Sequence, residues 1–216
     1  MYELEATGNV LVMTAQGKAS IERRLAVAPA APVADASRES NQAAESPESM
    51  IVRSVLAGDR DMFGQLYELY APLVHGVLLA RMPRSEVEDL VQDIFLHALR
   101  KLHTLRDANA FGPWIAMIAR NRAMDFHRRS RETVEVTDDL RSSDDSSVAT
   151  TAEEILGIIR TLPDAYRETL VLRLVEGMTG PEIASRTGLT AASVRVNLHR
   201  GMKLLRAKLG FKEGLS

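Results

Sequence analysis

The sequence contains no cysteine. That absence removes any disulfide framework, Cys-ligated zinc site, iron–sulfur cluster or thiol nucleophile. Long apolar runs are also missing. The longest early stretch is Val10–Met13, far short of the roughly 18 residues that span a bilayer. No membrane insertion is therefore expected. The chain starts on acidic residues, Met1 to Glu5, where a secretory signal would be basic, so a soluble, cytoplasmic protein is the expectation. Catalytic patterns are missing too. His75, His97, His103, His127 and His199 show neither HExxH nor comparable ligand spacing. There is no glycine-rich phosphate loop. The paired carboxylates Asp138–Asp139 and Asp144–Asp145 lie in a polar stretch where nothing would desolvate or position them. The expectation is a chain that is not an enzyme and that needs no metal and no cofactor.

What is present begins with charge. The 216 residues carry 27 Lys+Arg against 29 Asp+Glu, a net charge of −2, but the distribution is uneven. Arg120 to Arg131 holds five Arg against one Asp, and Arg186 to Lys208 holds six basic residues and no acid. Two basic stripes on an otherwise acidic chain give a local footprint for a polyanion, or else two solvated helix faces.

The chain divides by composition into four parts. Residues 26–49 contain 8 Ala, 3 Pro and 4 Ser in 24 positions, with too little apolar bulk to offset ordering entropy. Residues 1–49 are therefore read as a disordered N-terminal extension. Residues 50–132 read as a helical domain. Residues 133–152 contain 8 Ser/Thr and 5 Asp/Glu in 20 positions, a flexible acidic linker. Residues 153–216 read as a second helical domain. The fold class is all-α, two small helical domains on a tether.

Within the first domain, Met50–Leu56 predicts a short helix ended by Gly58. Phe63, Leu66, Tyr67, Tyr70, Leu73, Val74, Val77 and Leu78 recur at three- and four-residue spacing, with Pro72 expected to bend or interrupt the run. Ser85 and Glu88 form a capping-box pattern that opens a third helix. A fourth is expected from about Pro113 to Arg129, with Trp114, Ile115, Ile118, Ala119 and Met124 apolar. In the second domain, helices are expected over Ala152–Arg160 and from Leu162-Pro-Asp164 to Gly177.

Thr179-Gly-Pro-Glu182 is a second capping box. Ala184 is small where two helices cross, Gly188 suits a tight turn of positive φ, and Thr190 caps a final helix. Val194, Leu198, Met202, Leu205 and Leu209 form its inward stripe, which leaves Arg195, Val196, His199 and Arg200 outward. This spacing fits a helix-turn-helix whose second helix enters the major groove, against the plainer reading of a helical hairpin.

Four stretches carry a family resemblance: Asp89 to Phe95, Phe111 to Arg122, Asp125 to Arg129, and Leu162 through Leu209. With them the sequence resembles a bacterial RNA polymerase sigma factor of the extracytoplasmic-function (ECF) group in the sigma-70 family. The resemblance covers about 51–132 as sigma region 2 and 153–210 as sigma region 4. It implies a factor that directs promoter recognition, DNA melting and transcription initiation. Its implied partners are the clamp and flap of core RNA polymerase, promoter DNA, and an anti-sigma factor, although terminal extensions control some members instead. By resemblance, Asp89, Gln92 and Asp93 face the polymerase clamp; at i, i+3 and i+4 they share one helix face. Asn121, Arg122, Asp125, Arg128 and Arg129 match the −10-reading surface, where Arg suits phosphates and an amide suits an unstacked base edge. Leu105 and Ile118 match walls of the flipped-base pocket. Trp114 matches an aromatic that supports strand opening, and a core tryptophan accounts for it equally well. Arg195, Val196, His199 and Arg200 match the −35 recognition face, where Arg bonds guanine bidentately and Val packs a thymine methyl. The linker is implied to thread the polymerase cleft, where Asp138, Asp139, Asp144 and Asp145 would act as an acidic mimic of RNA, against the plainer reading of a spacer whose acids only maintain solubility. The long N-terminal segment, Gly180-Pro181 and Gly201 depart from the family pattern, Gly201 by softening the recognition helix.

Overall fold

The computed structural model describes residues 46–134 and 147–210, and every regular element among them is helical. Helix α1 spans Pro47–Leu56, α2 Phe63–Leu79, α3 Val87–Lys101 and α4 Phe111–Val134. After an interval, α5 spans Ser147–Arg160, α6 Asp164–Leu174, α7 Gly180–Thr187 and α8 Ala191–Lys208. Short 3₁₀ turns join several of these. The all-α class expected from the periodicity holds.

Three helix starts follow capping chemistry. Ser46 accepts from the backbone N–H of Ser49 at 3.1 Å and Pro47 takes the first turn, so α1 begins three residues before the predicted start. The box at Thr179 and Glu182 is complete in both directions, and Thr190 accepts from Ser193 N–H. Gly188 turns the chain with φ 77°, a left-handed conformation that disfavours any residue with a Cβ.

Two expectations are corrected and a third is narrowed. Pro72 does not interrupt its helix, since α2 runs through it for 17 residues. Proline removes the N–H that the Glu68 carbonyl would receive. The neighbouring Leu69 carbonyl meanwhile accepts from Arg186 Nη1 at 2.7 Å, a donor from the second half of the chain. The expected box at Ser85 does not form: a 3₁₀ turn fills Arg84–Glu86, and α3 starts at Val87 with no side-chain cap. Ser85 reaches only the Glu86 side chain, at 3.4 Å. The expected linker is shorter at both ends, since α4 extends to Val134 and α5 begins at Ser147. Residues 46–49, read as the end of the disordered extension, instead form the cap and first turn of α1; the rest of that extension, and residues 135–146 with the paired Asp of the linker, lie outside the described residues.

The two halves share one core. Leu66, Leu73, Leu78, Ile94, Phe111 and Ile115 from the first are fully buried in the same cluster as Ile159, Leu170, Leu172, Ile183 and Leu205 from the second. Close approach makes this possible at Gly112, where a Cβ would lie 2.9 Å from the Arg186 carbonyl oxygen. Ionic groups complete the seam. Glu168, 6% exposed, accepts from Arg81 Nη2 at 2.7 Å and from Arg120 Nε and Nη2 at 3.0 and 2.7 Å. His75 Nδ1 meets Glu176 Oε1 at 2.6 Å. Arg186 lies over the Tyr70 ring at 5.5 Å.

Candidate nucleic-acid interface

Helix α3 buries Val87, Val91, Ile94, Phe95 and Ala98. That stripe turns Asp89, Gln92 and Asp93 outward together, and all three are exposed. Helix α4 buries Phe111, Ile115, Ala116, Ala119 and Ala123. Asn121, Arg128 and Arg129 on its other side are exposed, while Arg122 and Asp125 are half-buried. Arg122 Nη2 donates to His97 Nδ1 at 3.3 Å. Partial burial and then the Arg122 charge hold His97 below its ordinary range, which keeps that ring an acceptor. Asp125 pairs with Arg128 at 3.2 Å across one turn.

These two helices enclose a cleft of about 400 Å³. Asp93 and Leu96 border it from α3, and Arg122, Asp125 and Arg129 from α4. Asp93, read as a clamp residue, thus shares a cleft with three residues read as −10 contacts. Leu105 and Ile118 are partly buried against the core, as is Trp114, which sits 5.8 Å from the Phe111 ring. Trp114 therefore has a packing role whatever else it does.

On α8, Val194, Gly201 and Leu205 are buried and Leu198, Met202 and Leu209 pack against the core. Arg195, Val196, His199 and Arg200 are exposed on the opposite side, Val196 at 41%. Gly201 does more than soften this helix: a Cβ there would come within 3.1 Å of Leu170 and Tyr166 side-chain atoms. It lets α8 close on α6.

The two basic stripes are divided between tasks. Arg120 and Arg186 turn into the seam, while Arg128, Arg129, Arg195 and Arg200 stay at the surface. Sequence reasoning could not separate them, because the partner Glu168 lies 48 residues from Arg120. It also placed Met124 with the apolar positions, yet Met124 is 64% exposed and Met117 49%. Both stand at helical spacing from Asn121, three and four residues away, which was the available signal for an apolar margin on this face.

Comparison with known proteins matches these surfaces to one family. Residues 66–133 match the family model Sigma-70 region 2, and residues 152–205 match Sigma-70, region 4. The chain is 32% identical over 161 residues to RNA polymerase sigma factor CarQ of Myxococcus xanthus, covering 71% of this chain and 92% of that one. It is 28% identical over 151 residues to ECF RNA polymerase sigma factor SigM of Bacillus subtilis, covering 66% and 92%. Among solved structures, CnrH in complex with the cytosolic domain of CnrY matches with a TM-score of 0.55 at 24% identity, over 76% of this chain and 97% of that one. The sigma factor RpoE in complex with the anti-sigma factor NepR from Bartonella quintana matches with a TM-score of 0.50 at 18% identity, over 70% and 98%. At those identities the two structures bear on the fold alone. The all-α fold, the helix-turn-helix and the paired region-2 and region-4 matches agree, and this chain belongs to the ECF group of the sigma-70 family.

Proposed function

We propose that this sigma factor divides its task among three exposed surfaces: Asp89, Gln92 and Asp93 for the polymerase clamp, the outer side of α4 for the −10 element, and the outer side of α8 for the −35 element. As a sigma factor it binds core RNA polymerase and directs initiation at a specific set of promoters. It works beside the polymerase in the cytoplasm and contributes no catalytic step of its own. No helix among the described residues is long and apolar enough to cross a membrane. The structural neighbours CnrH and RpoE are held in complexes with CnrY and an anti-sigma factor, which supports an anti-sigma partner here.

The observation that carries the assignment is exposure by face. On α3, α4 and α8 the apolar stripe is buried while the polar residues named above stay at the surface or half-buried. Asp89 and Asp93 would meet a basic surface on the clamp. On α4, Asn121 would read a base edge and Arg122, Arg128 and Arg129 would hold phosphates beside Asp125, with Leu105, Trp114 and Ile118 supporting the site from the core side. On α8, Arg200 and Arg195 would read guanine, Val196 a thymine methyl, and His199 would line the same groove.

Charge reversal at Asp89 and Asp93 together tests the first surface. Co-purification with core polymerase should be lost while helical circular dichroism is retained; full binding by the folded double variant would refute the clamp assignment. Arg200→Ala tests the third. It should weaken −35-dependent transcription by about 1–3 kcal/mol and relax specificity at one base, and wild-type behaviour on every promoter variant would show the register of α8 to be wrong.

A further inference from the structure

The seam between the two halves holds a cleft of about 910 Å³. Five arginines and one histidine line it: Arg81, Arg120, His127 and Arg128 from the first half, Arg160 and Arg167 from the second. Met124 and Asp164 complete the lining. We propose that this cleft is a binding site for a small anion bearing a diphosphate group, such as a nucleoside diphosphate.

The donor inventory motivates the assignment, since a guanidinium carries five N–H groups. Glu168 takes one bond from Arg81 and two from Arg120, which leaves Arg120 Nη1 unspent among the described residues. Arg160 gives Nε to the Leu79 carbonyl and Nη1 to Glu153, and its Nη2 is buried with no hydrogen-bond partner. Arg167 gives Nη1 to the Arg160 carbonyl and pairs Nη2 with Asp164, and its Nε is buried with none. Both atoms belong to side chains that line the cleft, and a guanidinium with an unspent donor is costly to bury.

Charge argues the same way. Burial, and then the nearby charge of Arg81, push the Arg167 guanidinium below its ordinary range. The acids paired with these guanidiniums are Glu168 on Arg81 and Arg120, Asp164 on Arg167, Glu153 on Arg160 and Asp125 on Arg128. Four carboxylates against five guanidiniums leave a positive excess. The planar guanidinium fork matches phosphate oxygens bidentately. The volume falls in the ordinary range for small-molecule sites, about 300–1,000 Å³, and exceeds what one phosphate fills. Met124, exposed at 64%, supplies an apolar wall for the remainder of such a ligand. An occupant would bridge the halves, so it should raise the stability of the docked chain by mass action.

The test uses the full chain without polymerase or DNA, so its result is separate from the promoter-reading assignment. Thermal melts and calorimetric titration are run with inorganic pyrophosphate, ADP and adenosine, with sodium chloride matching ionic strength. Pyrophosphate and ADP should raise the melting temperature and bind saturably, and adenosine should do neither. Arg160→Gln with Arg167→Gln should weaken pyrophosphate binding at least about tenfold. Should that pair not fold, Met124→Glu places a carboxylate on an exposed wall residue and should weaken binding comparably. No saturable binding of pyrophosphate by the wild-type chain overturns the proposal, as does unchanged binding by the folded variants. Displacement of pyrophosphate by an oligonucleotide lacking terminal phosphates also overturns it, by assigning the cleft to the DNA path.

Discussion

Glu168 shows how much a single side chain contributes to the seam. Burial by itself would raise its pKa, but hydrogen bonds from Arg120 and the charge of Arg81 reverse that and hold the carboxyl below its ordinary value of 4.5. Its contribution is therefore present at neutral pH and is lost as pH falls through the depressed value. Glu168→Ala strands two guanidiniums in the seam, and breaking a buried pair in this way costs about 3–5 kcal/mol. Denaturant melts at neutral pH should show that loss, and a change below about 1 kcal/mol would mean the group is not buried in solution. His75 behaves oppositely. Burial by itself would lower its pKa, yet the hydrogen bond to Glu176, with the charges of Glu176 and Glu88, raises it above 6.5. A raised basic group stabilises fully below its unfolded value and loses the contribution as pH rises through the folded one. Melting temperature should therefore fall as pH climbs from about 6.5 through the elevated His75 value, and His75→Gln should flatten that fall. Parallel slopes in the two proteins would refute the assignment.

At the scale of elements, α1 is defined by a turn that lies before its apolar stripe. Ser49 is fully buried and its hydroxyl donates to the Ser46 carbonyl at 2.8 Å. Ser46 in turn caps the helix. A chain beginning at Ser46 should melt like the full chain, whereas one beginning at Met50 loses the cap and the first turn. The cap alone is worth about 1 kcal/mol, hence about 2–4 °C for a domain of this size. Thermal scans of the two truncations compare them directly, and equal melting temperatures would show that α1 does not rely on this turn. The buried stripes of α3, α4 and α8 were legible from spacing alone, because the 3.6-residue period is a local property. The box at Thr179 and the turn at Gly188 were legible for the same reason. The start of α3 and the continuity of α2 through Pro72 were not, since the capping pattern at Ser85 and the proline each argue locally for the opposite outcome.

For the whole molecule, the seam is the feature with the largest consequence, and Gly112 is its narrowest point. A Cβ there meets the Arg186 backbone at 2.9 and 3.1 Å, and backbone cannot swing aside as a flexible side chain can. Gly112→Val should push α7 off α4 by overpacking, at a cost of about 1–3 kcal/mol. The absence of cysteine allows clean labelling at Gln65→Cys and Ser185→Cys, two exposed positions on α2 and α7. Fluorescence transfer between them should drop in the Gly112→Val background while helical content holds, and unchanged transfer would place the halves apart already. The sequence by itself determined the helical class, the capped helix-turn-helix, the outward residues of α3, α4 and α8, and the family. All of these follow from periodicity, local capping and motif order along the chain. Only the tertiary structure decided that Arg120 and Arg186 serve the seam rather than the surface, that Gly201 is a contact rather than a weakness, and that the two halves share one core. Those outcomes depend on which buried acid, carbonyl or side chain lies opposite, and the partners stand 48 residues away for Arg120 and 117 for Arg186. No local pattern encodes that pairing, because it is set by the desolvation that comes only when the halves meet.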